Sequence, residues 1–251
     1  MIHFVGAGPG APDLITLRGA DLLKKTDCII YAGSLVNPAL LEYTKPGCRI
    51  HNSAIMTLEE VIDVMKEMEA AGMDTVRLHT GDASLYGAIR EQMDLLDELG
   101  IAYDDTPGVS SFSGAAAALR AEYTLPGVSQ SVVITRMAGR TPVPEKESLA
   151  SFAVHDSTMV IFLSTGLLED VSRELIAGGR GADDPAAIVY KATWPDEKVV
   201  YCTIGTLAEA ARRENVTKTA LILIGGFLNE GYERSRLYDP GFTTEFREAV
   251  K

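Results

Sequence analysis

Gly81-Asp82-Ala83 is the segment of this chain best placed to do chemistry. Val76-Arg77-Leu78, just before it, reads as the end of a buried strand. Helical periodicity starts near Ser84 and continues through Leu85, Ile89, Met93 and Leu96. Open α/β sheets hold their ligands at such strand-to-helix turns, because backbone N–H groups and side chains converge there above the sheet edge. Asp82 has two readings: a carboxylate that caps the following helix, or a residue that faces a ligand. Thr106-Pro107-Gly108-Val109-Ser110-Ser111 poses the same choice ahead of an alanine-rich helix, since Ser110 and Ser111 can cap it or present hydroxyls and N–H groups to a ligand. A third loop, Gly6-Ala7-Gly8-Pro9-Gly10, invites a dinucleotide reading. Ala11 replaces the third glycine of that fingerprint, however, and the second strand ends in Ala32 where the ribose-binding acid belongs, so a nicotinamide enzyme is disfavoured. The histidines (His3, His51, His79, His155) and cysteines (Cys28, Cys48, Cys202) are scattered without metal-ligand spacing, so no metal is expected.

The elements that must carry these loops follow from the apolar pattern. Strands are expected at 2–5, 28–31, 49–50, 76–78 and 101–103, with helices at 16–25, after Pro38, and from the capping-box sequence Thr57-Leu58-Glu59-Glu60 to Gly72. After 122–128, the best linker candidate, strands are expected at 131–135, 159–163, 187–190, 198–203 and 220–224, and helices at 145–152, 167–176 and 206–213. The seven residues 191–197 are too few for a helical crossover, so the second sheet must be partly antiparallel. The expectation is two α/β domains in series, 1–121 with a mostly parallel sheet and 129–227 with a mixed sheet, a cleft between them, and a tail at 228–251. Four tail aromatics, Tyr232, Tyr238, Phe242 and Phe246, suggest that it folds back on the body or on a partner subunit. The 251 residues carry a net charge of −12 and three cysteines in no pattern, and no run is long and apolar enough to span a bilayer. This composition predicts a cytoplasmic protein that binds neither nucleic acid nor membrane. An anionic ligand would have to meet local cations or helix N-termini.

Five segments stand together in order: Gly6-Ala7-Gly8-Pro9-Gly10; Tyr31-Ala32-Gly33-Ser34-Leu35-Val36-Asn37-Pro38; Gly81-Asp82-Ala83-Ser84-Leu85-Tyr86-Gly87; Pro107-Gly108-Val109-Ser110-Ser111-Phe112; and Tyr190-Lys191-Ala192-Thr193-Trp194-Pro195. With this spacing the chain resembles the tetrapyrrole methylases, and the resemblance runs from the first strand to about Phe227. Residues 31–38 and Arg136-Met137-Ala138-Gly139-Arg140-Thr141-Pro142 look like the branch that acts on corrin precursors. The resemblance implies a homodimer and S-adenosylmethionine folded between the two domains, leaving as S-adenosylhomocysteine. Carried over by position, Gly81, Asp82, Ala83, Leu85, Tyr86, Ser110, Ser111, Met137, Leu163, Ala192 and Ala220 would contact the cofactor. Gly8, Pro9, Gly10, Tyr31, Gly33 and Ser34 would line the trough for the macrocycle.

Three departures from the family pattern matter. Ala83 stands where proline usually follows Gly-Asp. Ala32 and Gly33 stand where the uroporphyrinogen methylases carry an acid proposed as a base. The tail lacks the histidine of the branch it resembles. The resemblance therefore implies no catalytic side chain. The ring carbon of a reduced tetrapyrrole is itself a nucleophile, so the expected contribution of the protein is alignment. Arg136, Arg140 and Lys191 are the cations nearest the inferred trough.

Overall fold

The computed structural model describes residues 1–33 and 35–250, in two compact units: Met1–Ala115 with Lys191–Glu197, and Ala116–Tyr190 with Lys198–Lys251. The first is built on a five-stranded sheet of β1 (Ile2–Gly6), β2 (Cys28–Tyr31), β3 (Arg49–Asn52), β4 (Thr75–His79) and β5 (Tyr103–Thr106). The order is β3-β2-β4-β1-β5 and every pairing is parallel. Parallel strands are covered on both faces, so β4 is buried along its whole length although Thr75, Arg77 and His79 make three of its five residues polar. One face packs Ile2, Phe4 and Ile30 against α2 (Leu58–Ala70) and α3 (Arg90–Leu99). The other packs Val5, Ile29, Val76 and Leu78 with Leu23 of α1 (Leu17–Lys25). The capping box read from the sequence is formed: the Glu60 N–H donates to Thr57 Oγ1 at 3.3 Å, and the Thr57 N–H donates to Glu60 Oε2 at 2.8 Å.

The second unit holds β6 (Val132–Arg136), β7 (Thr158–Phe162), β8 (Pro185–Tyr190), β9 (Lys198–Thr203) and β10 (Ala220–Ile224), in the order β6-β7-β10-β8-β9. Only β6 and β7 run parallel; β10 is antiparallel to β7 and β8, and β8 to β9. The sheet is therefore mixed, as the short 191–197 connection requires. Its core joins Met159, Ile161, Ile188 and Ile222 to α5 (Leu149–Ala153), α6 (Leu168–Ala177) and α7 (Leu207–Arg213).

Three local expectations are corrected. The helix expected from Ser84 begins only at Arg90, and 81–89 is an irregular loop. The helix expected after Pro38 is a 3₁₀ segment, Pro38–Tyr43, opened by Asn37, whose Oδ1 accepts from the Ala39 N–H at 3.0 Å. The strand expected at 101–103 lies at Tyr103–Thr106. Residues 122–128 are loop, with Tyr123 buried edge-on against Phe227 and its carbonyl accepting from Thr158 Oγ1. In the tail, Arg247 donates to the carbonyls of Leu237, Asp239 and Phe242, so 237–247 closes on itself. No helix among the described residues is long and apolar enough to cross a membrane.

Candidate functional site

Parallel pairing brings the carboxyl ends of β1, β2, β4 and β5 to one edge of the first sheet, and the three glycine-bearing loops leave from there. They interlock through their backbones. Gly8 (φ +81°) and Gly81 (φ +63°) exchange two hydrogen bonds: the Gly8 N–H donates to the Gly81 carbonyl at 3.2 Å, and the Gly81 N–H to the Gly8 carbonyl at 2.9 Å. A Cβ on Gly6 would lie 2.5 Å from the Gly108 Cα, and one on Gly108 would overlap the Gly81 carbonyl. Only glycine permits backbones to approach this closely.

Asp82 completes the knot. Its Oδ2 accepts from the Gly108 N–H at 2.8 Å, and its Oδ1 from the Ser84 N–H at 2.9 Å and from the Ser84 hydroxyl. It caps no helix. Burial acts to raise its pKa, but the bonds from the Ser84 hydroxyl, the Gly108 N–H and the Ser84 N–H outweigh this and hold the carboxyl below its ordinary value. Asp82 is thus an ionised tie between two loops, with both carboxylate oxygens engaged. Its local bond to Ser84 also explains why no helix starts there, since such Asx contacts compete with helical backbone bonding. Tyr86 (φ +59°) and Ala88 (φ +49°) then break any helical path, and Tyr86 stays 44 % exposed. Ala83 is buried and Leu85 half-buried. Ser110 is buried beside Gly81, and Ser111 opens α4 (Ser111–Leu119).

The 191–197 turn belongs to this unit as well. The Ala11 N–H donates to Thr193 Oγ1 at 2.9 Å, and the Trp194 ring lies where a Cβ of Gly10 would stand. Ala192, between them, is buried. Asn37 Nδ2 donates to the Gly10 carbonyl at 2.9 Å and fixes the loop from its other side. Pro9 packs near Gly114, Tyr31 ends β2, and Gly33 lies against the Asn52 amide. Ser34 lies outside the described residues.

In the second unit the expected residues Met137, Leu163 and Ala220 are gathered by one turn. The Met137 N–H donates to Ser164 Oγ at 2.8 Å, and Thr165 Oγ1 donates to the Ala220 carbonyl at 3.1 Å. Leu163 itself has φ +54° and is 65 % exposed. Of the nine non-glycine residues with positive φ among the described residues, five coincide with or adjoin expected cofactor residues: Tyr86, Leu163, Lys191 and Thr193 around Ala192, and Thr219 before Ala220. Strained backbone of this kind persists where the surroundings enforce it and concentrates at ligand sites.

Two of the three cations are engaged. Arg136 donates to the carbonyls of Met137, Thr141 and Pro142 and shapes its own loop. Lys191 pairs with Asp196 at 2.6 Å and lies 5.4 Å from the centre of the Trp194 ring. Among the described residues no three His, Cys, Asp or Glu side chains gather to hold a metal. Sequence reasoning missed Asn37, Ser164, Thr165 and Thr193 as residues that fix these loops. Polar side chains ahead of strained turns were the available signal.

A parallel sheet with glycine-knotted loops at its carboxyl edge, joined in one chain to a mixed sheet, defines a two-sheet α/β protein. The chain belongs to the Tetrapyrrole (Corrin/Porphyrin) Methylases, a family that matches residues 1–208. It is 52 % identical to the cobalt-precorrin-4 C(11)-methyltransferase of Methanocaldococcus jannaschii, over all of this chain and 97 % of that one. It is 47 % identical to the precorrin-4 C(11)-methyltransferase of a Sinorhizobium species, over 98 % of each. Among solved structures, a cobalt precorrin-4 methyltransferase of cobalamin biosynthesis superposes with a TM-score of 0.89 at 46 % identity, covering 91 % of this chain and 95 % of that one. The uroporphyrin-III C-methyltransferase of Thermus thermophilus, solved with S-adenosyl homocysteine, gives 0.74 at 25 % identity, covering 93 % and 95 %.

Proposed function

We propose that this chain transfers a methyl group from S-adenosylmethionine to C-11 of precorrin-4 or of cobalt-precorrin-4, a step of cobalamin synthesis, and works as a cytoplasmic homodimer. The relatives named for this reaction at 47–52 % identity support it over another corrin-ring methylase and over uroporphyrinogen III methyltransferase, whose relatives are 23–30 % identical. The observation that carries the cofactor assignment is positive φ at Tyr86 and Leu163 themselves and at the residues flanking Ala192 and Ala220. A leucine held at φ +54° is strained backbone of the kind that persists at ligand clamps, and its exposed side chain offers an apolar face there.

S-adenosylmethionine supplies a methyl group already activated by the sulfonium charge. The chain's own contribution is to hold its loops still. Residues 81–86, with Ser110, Ser111 and Ala192, form the proposed cofactor group of the first unit, and Met137, Leu163 and Ala220 that of the second. Gly8, Pro9, Gly10, Tyr31, Gly33 and Ser34 are assigned to the macrocycle. Asp82 does not serve as a base in this reading, because all its bonds go to Ser84 and Gly108. Ala32 and Gly33 leave no carboxylate after β2. Rate enhancement then rests on alignment of ring carbon and methyl, worth on the order of 7–11 kcal/mol in the best intramolecular cases.

The test is a calorimetric titration with S-adenosylhomocysteine, followed by labelled S-adenosylmethionine with a panel of reduced tetrapyrroles. One site per chain and label transfer confined to precorrin-4 or its cobalt form are expected. No heat, or preferred labelling of uroporphyrinogen III, would overturn the proposal.

A further inference from the structure

Arg77 is an anomaly in the first unit. It sits in the middle of β4, 6 % exposed, in a strand otherwise made for burial. No carboxylate pairs with it among the described residues. Its Nε donates to Gln92 Oε1 at 3.0 Å, and one terminal nitrogen donates to the Ile30 carbonyl of β2 at 3.1 Å. Burial draws its pKa down to about 10, so it remains charged at neutral pH. A buried cation without a counter-charge is expensive to keep.

Gln92, also buried, passes the contact on. Its Nε2 donates to the Ala88 carbonyl at 2.9 Å. The orientation of this amide follows from chemistry: an arginine can only donate and a carbonyl can only accept, so oxygen must face Arg77 and nitrogen must face Ala88. Ala88 is the last strained residue of the loop that carries Ala83, Leu85 and Tyr86. The Ile89 carbonyl, next in the chain, already belongs to the first turn of α3, accepting from the Met93 N–H at 2.9 Å. The loop is thus pinned at one end by Asp82 and at the other by Gln92.

We propose that Arg77 and Gln92 are positioning residues: a buried relay from the sheet to the Ala88 carbonyl that fixes the conformation of residues 83–88 and thereby sets affinity for S-adenosylmethionine. This rests on the reading of that loop as a cofactor segment. The relay touches neither ligand and acts only through the loop.

Gln92→Glu separates the two bonds. A carboxylate still accepts from Arg77, and now offers it a counter-charge, so the fold should be kept. It cannot donate to the Ala88 carbonyl. Gln92→Leu removes both bonds and serves as the second variant. The measurements are hydrogen exchange of residues 82–89 in the ligand-free protein, calorimetric affinity for S-adenosylhomocysteine, and steady-state kinetics. For Gln92→Glu, exchange in 83–88 should rise about tenfold while β4 and α3 stay protected. Affinity should fall roughly 5–20-fold, the scale of one lost hydrogen bond. KM for S-adenosylmethionine should rise in step, with kcat at saturation retained. Unchanged loop exchange in both variants overturns the relay. Faster exchange with unchanged affinity overturns its functional consequence. Should the wild-type protein bind no S-adenosylhomocysteine, the cofactor reading itself falls, a result distinct from either.

Discussion

Acidification should destabilise the first unit through one buried histidine. His79 closes β4 directly before the knotted loops, 4 % exposed, stacked on Phe4 with ring centroids 6.2 Å apart. Its Nε2 has no hydrogen-bond partner among the described residues. Burial first, and then the charge of Arg77, push its pKa down to about 3. A histidine held neutral in the native state and free to protonate in the unfolded chain, near 6.5, contributes stability above about pH 6.5 that is lost as pH falls toward the folded value. Between pH 7 and pH 5 the unfolded chain gains a proton that the native state refuses, which costs about 2 kcal/mol by linkage. Urea unfolding followed at both pH values measures this. Wild-type stability should drop by about that amount more than in His79→Gln, which has no titrating ring. Because Nε2 makes no bond among the described residues, the variant should retain most of its stability at pH 7. Equal pH dependence in the two proteins would refute the reasoning and place the acid sensitivity elsewhere.

Leu163→Gly should relieve the positive-φ strain, leaving thermal stability unchanged or raised by roughly 1 kcal/mol, while S-adenosylhomocysteine affinity falls; calorimetry and a melting curve read both. Asp82→Asn places an amide NH₂ opposite either the Gly108 N–H or the Ser84 N–H, so about 1–3 kcal/mol of stability should be lost together with cofactor affinity, and urea unfolding would show it. Gly108→Ala drives a methyl group into the Gly81 carbonyl and should cost about 1–3 kcal/mol or more, lowering soluble yield and the melting temperature together.

How far the sequence speaks depends on the range of the interaction. The parallel sheet was legible because strands buried on both faces read as apolar runs, and the Thr57–Glu60 box because its partners are three residues apart. The antiparallel part of the second sheet followed from the length of 191–197 alone. Residues 84–89 read as helix because Leu85, Ile89 and Met93 keep helical spacing, while the deciding contacts are internal to the turn, Asp82 to Ser84, or long-range, Asp82 to Gly108 and Gln92 to Arg77. Glycines 6, 8, 81 and 108 were visible as loop residues, but their meeting was not. Nor does any local pattern reveal that Trp194 comes to rest on Gly10, or that Ser164 and Thr165 join Met137 to Ala220. Arg77 reads in sequence as part of a buried strand end; only the folded sheet shows which carbonyl and which amide accept its hydrogen bonds.

The central claim is methyl transfer to one carbon by alignment, without a side-chain base. Single-turnover reaction of the enzyme with ¹³C-methyl-labelled S-adenosylmethionine and precorrin-4, or its cobalt form, tests it directly, with the position of the label read by NMR. The account predicts a single labelled methyl at C-11. A label on another carbon, or no transfer to either ring while S-adenosylhomocysteine binds, would contradict it.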